Sequence, residues 1–219
     1  MDGLTKIYGE GRTAVTAVEK ASFELGDNEF IALLGPSGSG KTTLLSMVGA
    51  LLTPSEGEVL VAGDDLSKMS KKGQTAFRAN RIGFVFQAFN LVPFLTAREN
   101  LTVMATISDL PRSEIEGRAD QLLEDLGLAE RRDNLPEQLS GGERQRVAIG
   151  RALVTDPDLI LVDEPTASLD TELGTAVVKM LASEIKERDK AGIMVTHDLR
   201  MVDYTDRTLE IVDGRLETG

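Results

Sequence analysis

The sequence predicts an α/β fold built on a largely parallel sheet, with an antiparallel β-subdomain at the N-terminus and an α-helical subdomain inserted in the middle. Three observations carry this reading. The apolar runs Phe30–Leu34, Leu159–Val162 and Ile193–Thr196 are short and continuous, as in buried parallel strands. Residues 4–25 instead show short alternating patterns around a glycine-containing turn, and residues 88–156 are mostly of helical texture with several stop signals.

Within the first segment, the turn falls at Gly9–Arg12, and Phe23 and Leu25 alternate with polar neighbours, so an antiparallel sheet is expected. Tyr8 stands just before the turn, where its ring could stack on a ligand base or simply pack half-buried. The run Phe30–Leu34 leads into Gly35-Pro36-Ser37-Gly38-Ser39-Gly40-Lys41-Thr42 and then into Thr43–Val48 at helical spacing. Strand, glycine-rich loop and helix in that order form a phosphate cradle. Its glycines let the backbone wrap an anion, the loop amides and helix N-terminus point inward, Lys41 adds a mobile positive charge and Thr42 offers a hydroxyl to Mg²⁺. A flexible glycine/serine turn is the competing reading, which the full eight-residue pattern in this context disfavours.

Gly57–Gly63 reads as a strand closed by a turn at Asp64-Asp65, and Ser67–Asn80 as a polar surface helix. Ile82–Phe86 returns to strand character and ends at Gln87, which places an amide at the C-terminal sheet edge where ligands of open α/β sheets sit. The plainer alternative is a loop glutamine bonded to backbone. Phe89–Leu95 is apolar, contains Pro93, and is either an exposed partner surface or core. Ser113–Glu116 resembles a capping box that opens a helix carrying Ile115, Ala119, Leu122, Leu123 and Leu126, closed by Gly127.

Leu139-Ser140-Gly141-Gly142-Glu143 then starts another helix, and its free N–H groups, serine hydroxyl and dipole make a second anion site. One terminal phosphate does not need two cradles from one molecule. After the break at Asp156–Asp158, Asp163 and Glu164 end the strand Leu159–Val162; the physical assignment is that Asp163 holds Mg²⁺ while Glu164 polarises the attacking water. Ser168-Leu169-Asp170 turns into a helix with Leu173, Val177, Met180, Leu181 and Ile185 at helical spacing. His197, the one histidine of the sequence, ends the strand Ile193–Thr196; it is either structural or placed to reach a terminal phosphate. Arg207–Val212 is expected as a last strand, followed by a turn at Asp213-Gly214 and a short tail.

A chain of 219 residues supports one substantial core. With 24 basic and 36 acidic residues its net charge is −12, which argues against broad nucleic-acid binding and requires an anionic ligand to be held by local positive groups. The lack of cysteine excludes disulfides and thiolate metal sites. Met1–Leu4 lacks the pattern of a signal peptide, and no apolar run approaches the roughly 18 residues of a membrane span, so a membrane role is expected to run through another polypeptide.

Taken in order and over the whole chain, these motifs resemble the nucleotide-binding subunits of ATP-binding cassette (ABC) transporters, P-loop NTPases with the ABC ATPase fold. The resemblance implies a nucleotide-binding core at about 1–87 and 158–219 and a helical signature subdomain at about 88–157. It implies an ATPase that binds ATP through Tyr8, Gly35, Pro36, Ser37, Gly38, Ser39, Gly40, Lys41, Thr42 and Thr43, and Mg²⁺ through Thr42, Gln87 and Asp163. Glu164, His197, Gln87 and Lys41 would be catalytic. The second cradle is then explained by a head-to-tail dimer of the chain, in which Ser140, Gly141 and Gly142 close over the partner copy's ATP and Asp170 couples the two sites. Glu143 departs from the usual glutamine, and its side chain is expected to point away from the phosphates.

Phe84–Gln87, Asn90–Pro93 and Leu95–Asn100 most resemble the macrolide-export and lipoprotein-release branch. This implies a separate integral membrane permease with an extracytoplasmic domain, docked through Phe89, Leu91, Phe94 and Leu95, and a place on the cytoplasmic face of the cell membrane. The implied function is export or membrane extraction of a peptide, antibiotic, haem, lipid or lipoprotein. The alternatives are a mechanotransmitting ATPase that signals without transport and an importer. Soluble ABC proteins of DNA repair or translation are disfavoured by the acidic balance, the single cassette and the lack of a long coiled-coil insertion.

Overall fold

The computed structural model describes residues 1–217. Its centre is a six-stranded sheet in the order β11-β10-β3-β9-β8-β7, formed by β3 (Phe30–Leu34), β7 (Ile82–Val85), β8 (Leu159–Asp163), β9 (Ala191–Val195), β10 (Arg207–Val212) and β11 (Arg215–Glu217). All neighbours are parallel except β11, which pairs antiparallel with β10.

The continuous apolar runs follow from burial on both faces. Along β8, Leu159 and Leu161 join one core with Leu44 and Met47 of helix α1 (Lys41–Val48), while Ile160 and Val162 join the other. Met194 of β9 packs with the second group and Ile193 and Val195 with the first, the two-residue alternation of a pleated strand. Helix α6 (Thr171–Glu187) closes the second face through Val177, Val178, Leu181 and Ile185. Burying each such side chain contributes about 1.5–3 kcal/mol.

The N-terminal antiparallel sheet is β2 (Val15–Ala21), β1 (Asp2–Tyr8) and β4 (Glu56–Glu58), in that order. Phe23 and Leu25 lie outside it. The chain leaves the ladder after Ala21, and Phe23 keeps two bonds to Met1, one in each direction, while both side chains pack on the core. The expected turn at Asp64-Asp65 falls two residues earlier, at Ala62-Gly63. These residues have φ of 49° and 83° and join β5 (Leu60–Val61) to β6 (Asp64–Asp65) as a two-residue hairpin. The polar helix is α2 (Lys71–Arg81), capped by Ser70.

Three α-helices lie between β7 and β8: α3 (Ala97–Thr102), α4 (Arg112–Asp125) and α5 (Gly141–Leu153). Ile115, Ala119, Leu122, Leu123 and Leu126 are all buried, as their spacing predicts. Ser113 does not cap α4, because the helix already begins at Arg112 with Pro111 in the cap position. Its end is as expected: Gly127 (φ 65°) bonds back to Glu124, and Leu128 to Leu123, which closes a Schellman turn. Leu91–Leu95 forms no regular element. Buried Asn100 instead ties it down, accepting from Val92 N–H and donating to the carbonyls of Val92, Leu95 and Thr96. Of the expected tail, residues 215–217 form strand β11, and residues 218–219 lie outside the described residues.

Candidate active site

Sheet register gathers the site. Leu33 and Asp163 both lie opposite Val195, and Val85 lies opposite Val162, so β3, β9, β8 and β7 end along one edge. From those four ends emerge the glycine loop, His197, Asp163 with Glu164, and Gln87. A cleft of about 570 Å³ is lined by Ser37, Gly38, Gly40, Lys41, Thr42, Thr43, Gln87, Glu164 and His197, together with Ala17. Ala17 is the lining residue that sequence reasoning missed; it sits in β2, and nothing in its local pattern marks it.

The glycine loop is shaped by close approach. A Cβ on Gly35 would lie 2.2 Å from the Ile211 carbonyl oxygen, and one on Gly40 would lie 2.3 Å from that of Ala17. Gly40 also takes φ 105° as it starts α1. The first turn of α1 therefore opens towards the cleft with its N–H groups unpaired. Lys41 is buried and donates from Nζ to the carbonyls of Gly35 (2.7 Å) and Pro36 (2.8 Å). Among the described residues Ser39 Oγ is buried without a partner, a polar atom left over within the cradle.

Thr42 Oγ1 donates to Asp163 Oδ1 at 3.4 Å. Burial holds the Asp163 carboxyl above the usual carboxylate range, and the Thr42 bond pulls it partly back. A buried carboxylate beside a hydroxyl at a phosphate loop suits a small divalent cation that completes its shell with water and phosphate oxygens. Among the described residues no cluster of three acidic, histidine or cysteine side chains could cage a metal by itself.

Glu164 has φ 46°, a left-handed value that costs a non-glycine residue about 1–2 kcal/mol. Its N–H donates to Val195, while its carboxylate meets His197 Nδ1 at 2.9 Å from both oxygens. The carboxylate is largely shielded and the imidazole is exposed at the cleft. A base so held, with a histidine beside it, can orient and deprotonate water.

The remaining sequence-predicted residues lie outside the cleft lining. Tyr8 ends β1 and is 46% exposed, with Lys6 Nζ over its ring at 5.4 Å from the centroid. Ser140 caps α5 in a complete capping box: its Oγ accepts from Glu143 N–H, and Glu143 Oε2 accepts from Ser140 N–H at 2.8 Å. Glu143 is thus folded onto its own helix start, where Arg131 donates to Oε1 at 3.1 Å, and these bonds hold its carboxyl below the usual range. A Cβ on Gly142 would meet Leu173 at 2.6 Å and one on Gly141 would meet Leu169 at 3.3 Å, so the starts of α5 and α6 are packed together. Asp170 caps α6 by accepting from Leu173 N–H.

Phosphate loop, strand-end acids and histidine on one edge of a parallel sheet define a nucleotide-hydrolysing site of the P-loop class. The sequence matches the ABC transporter family over residues 18–167, and the chain belongs to that family as an ATP-binding, ATP-hydrolysing subunit. It is 46% identical to a putative hemin import ATP-binding protein, HrtA, of Staphylococcus haemolyticus, covering 98% of this chain and 96% of the relative. An uncharacterized ABC transporter ATP-binding protein of Thermotoga maritima is 44% identical over 97% of this chain and 90% of its own length. Among solved structures, the ATP-binding cassette MJ0796, captured as a dimer in a post-hydrolysis state with ADP and Pi, superposes with a TM-score of 0.87 at 36% identity over 99% of this chain and 95% of that one. The cbiO1 protein of Clostridium perfringens, part of the transporter complex cbiONQ, gives 0.88 at 31% identity, over 99% of this chain and 85% of that one.

Proposed function

We propose that this subunit works as a head-to-tail homodimer beneath a membrane permease and drives export or membrane extraction of an amphipathic cargo, within the macrolide-export and lipoprotein-release branch. The observation that carries the chemical part is the convergence of Lys41, Thr42, Thr43, Gln87, Glu164 and His197 on one cleft. In this reading Lys41 and the loop amides hold the phosphates, Glu164 takes the proton of water, and His197 steadies the terminal phosphate. Mg²⁺ would be held by Thr42, Gln87 and Asp163 and would supply positive charge to the phosphate oxygens. Ser140, Gly141 and Gly142 serve the partner copy's nucleotide, Asp170 couples the two sites, and Tyr8 stacks on adenine. The dimeric form of the MJ0796 cassette supports the self-association. The division into a core at about 1–87 and 158–219 and a helical unit at about 88–157 belongs to the same reading.

For the permease surface we propose residues other than those the sequence suggested. Leu91 packs on the helical core, and the Phe89 ring lies under Arg144 at 5.3 Å. Phe94 is exposed, but an apolar groove of about 470 Å³ lies elsewhere, between α2, β7 and the segment after α3, with Leu51, Phe84, Phe86, Met104 and Ile107 on its walls. We assign permease docking on the cytoplasmic membrane face to this groove.

Haem is the cargo favoured by the names of the HrtA relatives, and the same names favour import as the second reading. Transport into inverted vesicles carrying the subunit with its permease separates the two directions. The catalytic reading is tested by Glu164→Gln, which keeps size and backbone and removes the base. Turnover is expected to fall at least about a hundred-fold with ATP binding intact and a stable ATP-bound dimer on sizing. Normal turnover in this variant would sink the assignment.

A further inference from the structure

Arg151, near the end of α5, donates from Nη1 to the Asn90 carbonyl at 2.6 Å and from Nη2 to the Phe89 carbonyl at 3.1 Å. Among the described residues no carboxylate pairs with this guanidinium, and burial draws its pKa below the usual arginine value. A cation placed in an apolar groove wall and satisfied by two consecutive main-chain carbonyls is committed to holding that piece of chain. The piece is unusual: Asn90 has φ 49°, and the segment has no helix or strand bonds of its own to fix it. It begins two residues after Gln87, the amide that β7 delivers into the nucleotide cleft. Phe89 is gripped a second time from α5, since Arg144 covers its ring while donating to the Leu139 carbonyl at 2.7 Å, one residue before Ser140.

We propose that Arg151 is a positioning residue for Gln87: by clamping the Phe89 and Asn90 carbonyls to α5 it fixes where the Gln87 amide stands in the cleft, without touching the nucleotide itself. Lysine cannot replace it fully, because one ammonium lacks the forked donors that span two carbonyls. The inference rests on the reading that Gln87 acts on bound nucleotide.

The test compares Arg151→Met, Arg151→Lys, Gln87→Ala and the Gln87→Ala/Arg151→Met double variant in the full chain. The readouts are phosphate release at varied ATP and hydrogen–deuterium exchange over residues 86–95. Arg151→Met is expected to lower kcat about ten-fold, with KM for ATP within about two-fold, and to speed exchange at 88–91. Arg151→Lys should recover part of the loss. The double variant should be no slower than Gln87→Ala alone, because the clamp acts through the amide already removed. Full multiplication of the two losses, or unchanged kcat in Arg151→Met beside a slow Gln87→Ala, overturns the clamp. Full turnover in Gln87→Ala would instead overturn the reading of the nucleotide site, and the clamp with it. Should the methionine variant fail to fold, the lysine variant decides: reduced kcat at unchanged KM and unchanged melting supports the proposal, and unchanged kcat overturns it.

Discussion

Gly38 and Gly40 occupy the same loop, yet replacing each by alanine perturbs it differently, and the difference tests whether the cradle is held by close backbone approach. At Gly38 an added Cβ meets nothing within 4 Å, so Gly38→Ala pays only for a side chain at φ 81°, about 1–2 kcal/mol. At Gly40 the φ of 105° carries a similar cost, but the Cβ also lands 2.3 Å from the Ala17 carbonyl oxygen, where contact distance is above about 3 Å. A main-chain oxygen in a paired strand cannot swing aside as a side chain does, so the loop must move by most of an ångström. Overpacking of that kind adds about 1–3 kcal/mol, which puts the total at about 2–5 kcal/mol. For a chain of this size each kcal/mol shifts the melting midpoint by about 2–4 °C. Scanning calorimetry without nucleotide should place Gly38→Ala a few degrees below the parent and Gly40→Ala lower by at least as much again. A displaced loop also loses at least one amide–phosphate bond, so titration calorimetry should show ATP affinity weakened about ten-fold or more in Gly40→Ala. Equal melting points for the two variants, or parental ATP affinity in Gly40→Ala, would refute the reasoning.

Three other outcomes follow from the same structure. Burial raises the Asp163 pKa, so its charge disfavours the folded chain at neutral pH; Asp163→Asn should raise the nucleotide-free melting midpoint while lowering turnover about a hundred-fold or more, and a lower midpoint would contradict this. Asp206 is held below the usual carboxylate range by Lys186 at 2.5 Å and by Phe30 N–H. Its stabilising contribution is therefore present above about pH 4 and lost as pH falls through its folded pKa, and the stability gap between parent and Asp206→Asn in urea titrations should shrink between pH 6 and pH 3. Ile107 is 60% exposed on the groove wall, so Ile107→Glu should leave ATPase activity of the isolated subunit within about two-fold and abolish co-purification with the permease; retained binding would move the docking surface elsewhere.

What the sequence could and could not reveal divides along physical lines. The β8 run Leu159–Val162 was legible because a strand buried on both faces has no polar positions to interrupt it. The strand ends carrying Gln87, Asp163, Glu164 and His197 were legible for the same reason, since each follows such a run. The hairpin at Ala62-Gly63 was not, because an alanine at φ 49° violates local preference, and two aspartates next to it are the stronger turn signal. Ser113 shows the converse: a good capping sequence is unused because Pro111 suits the helix start two residues earlier. Leu91 gives no local sign of facing inward; the long-range ties of Asn100 and the helical core decide it. Ala17 and Arg151 act through backbone contacts with distant segments, which no local pattern records.

A net charge of −12 and a site for a polyanion coexist because distance, not the sum of charges, decides the local potential. Acidic side chains beyond roughly 8 Å through solvent are screened at physiological salt, whereas Lys41 and the first turn of α1 act at contact. The acids near the site are each held in a different way. Glu143 spends its charge on Ser140 N–H and Arg131 at the positive end of α5, so glutamate can stand in the place of glutamine without presenting a bare carboxylate. Asp163 is held by burial nearer to protonation than an exposed aspartate, which primes it for a cation. Glu164 alone is aimed into the cleft by a left-handed backbone, beside His197. In the proposed reading this base keeps its lone pair available to water while the phosphates are drawn towards Lys41.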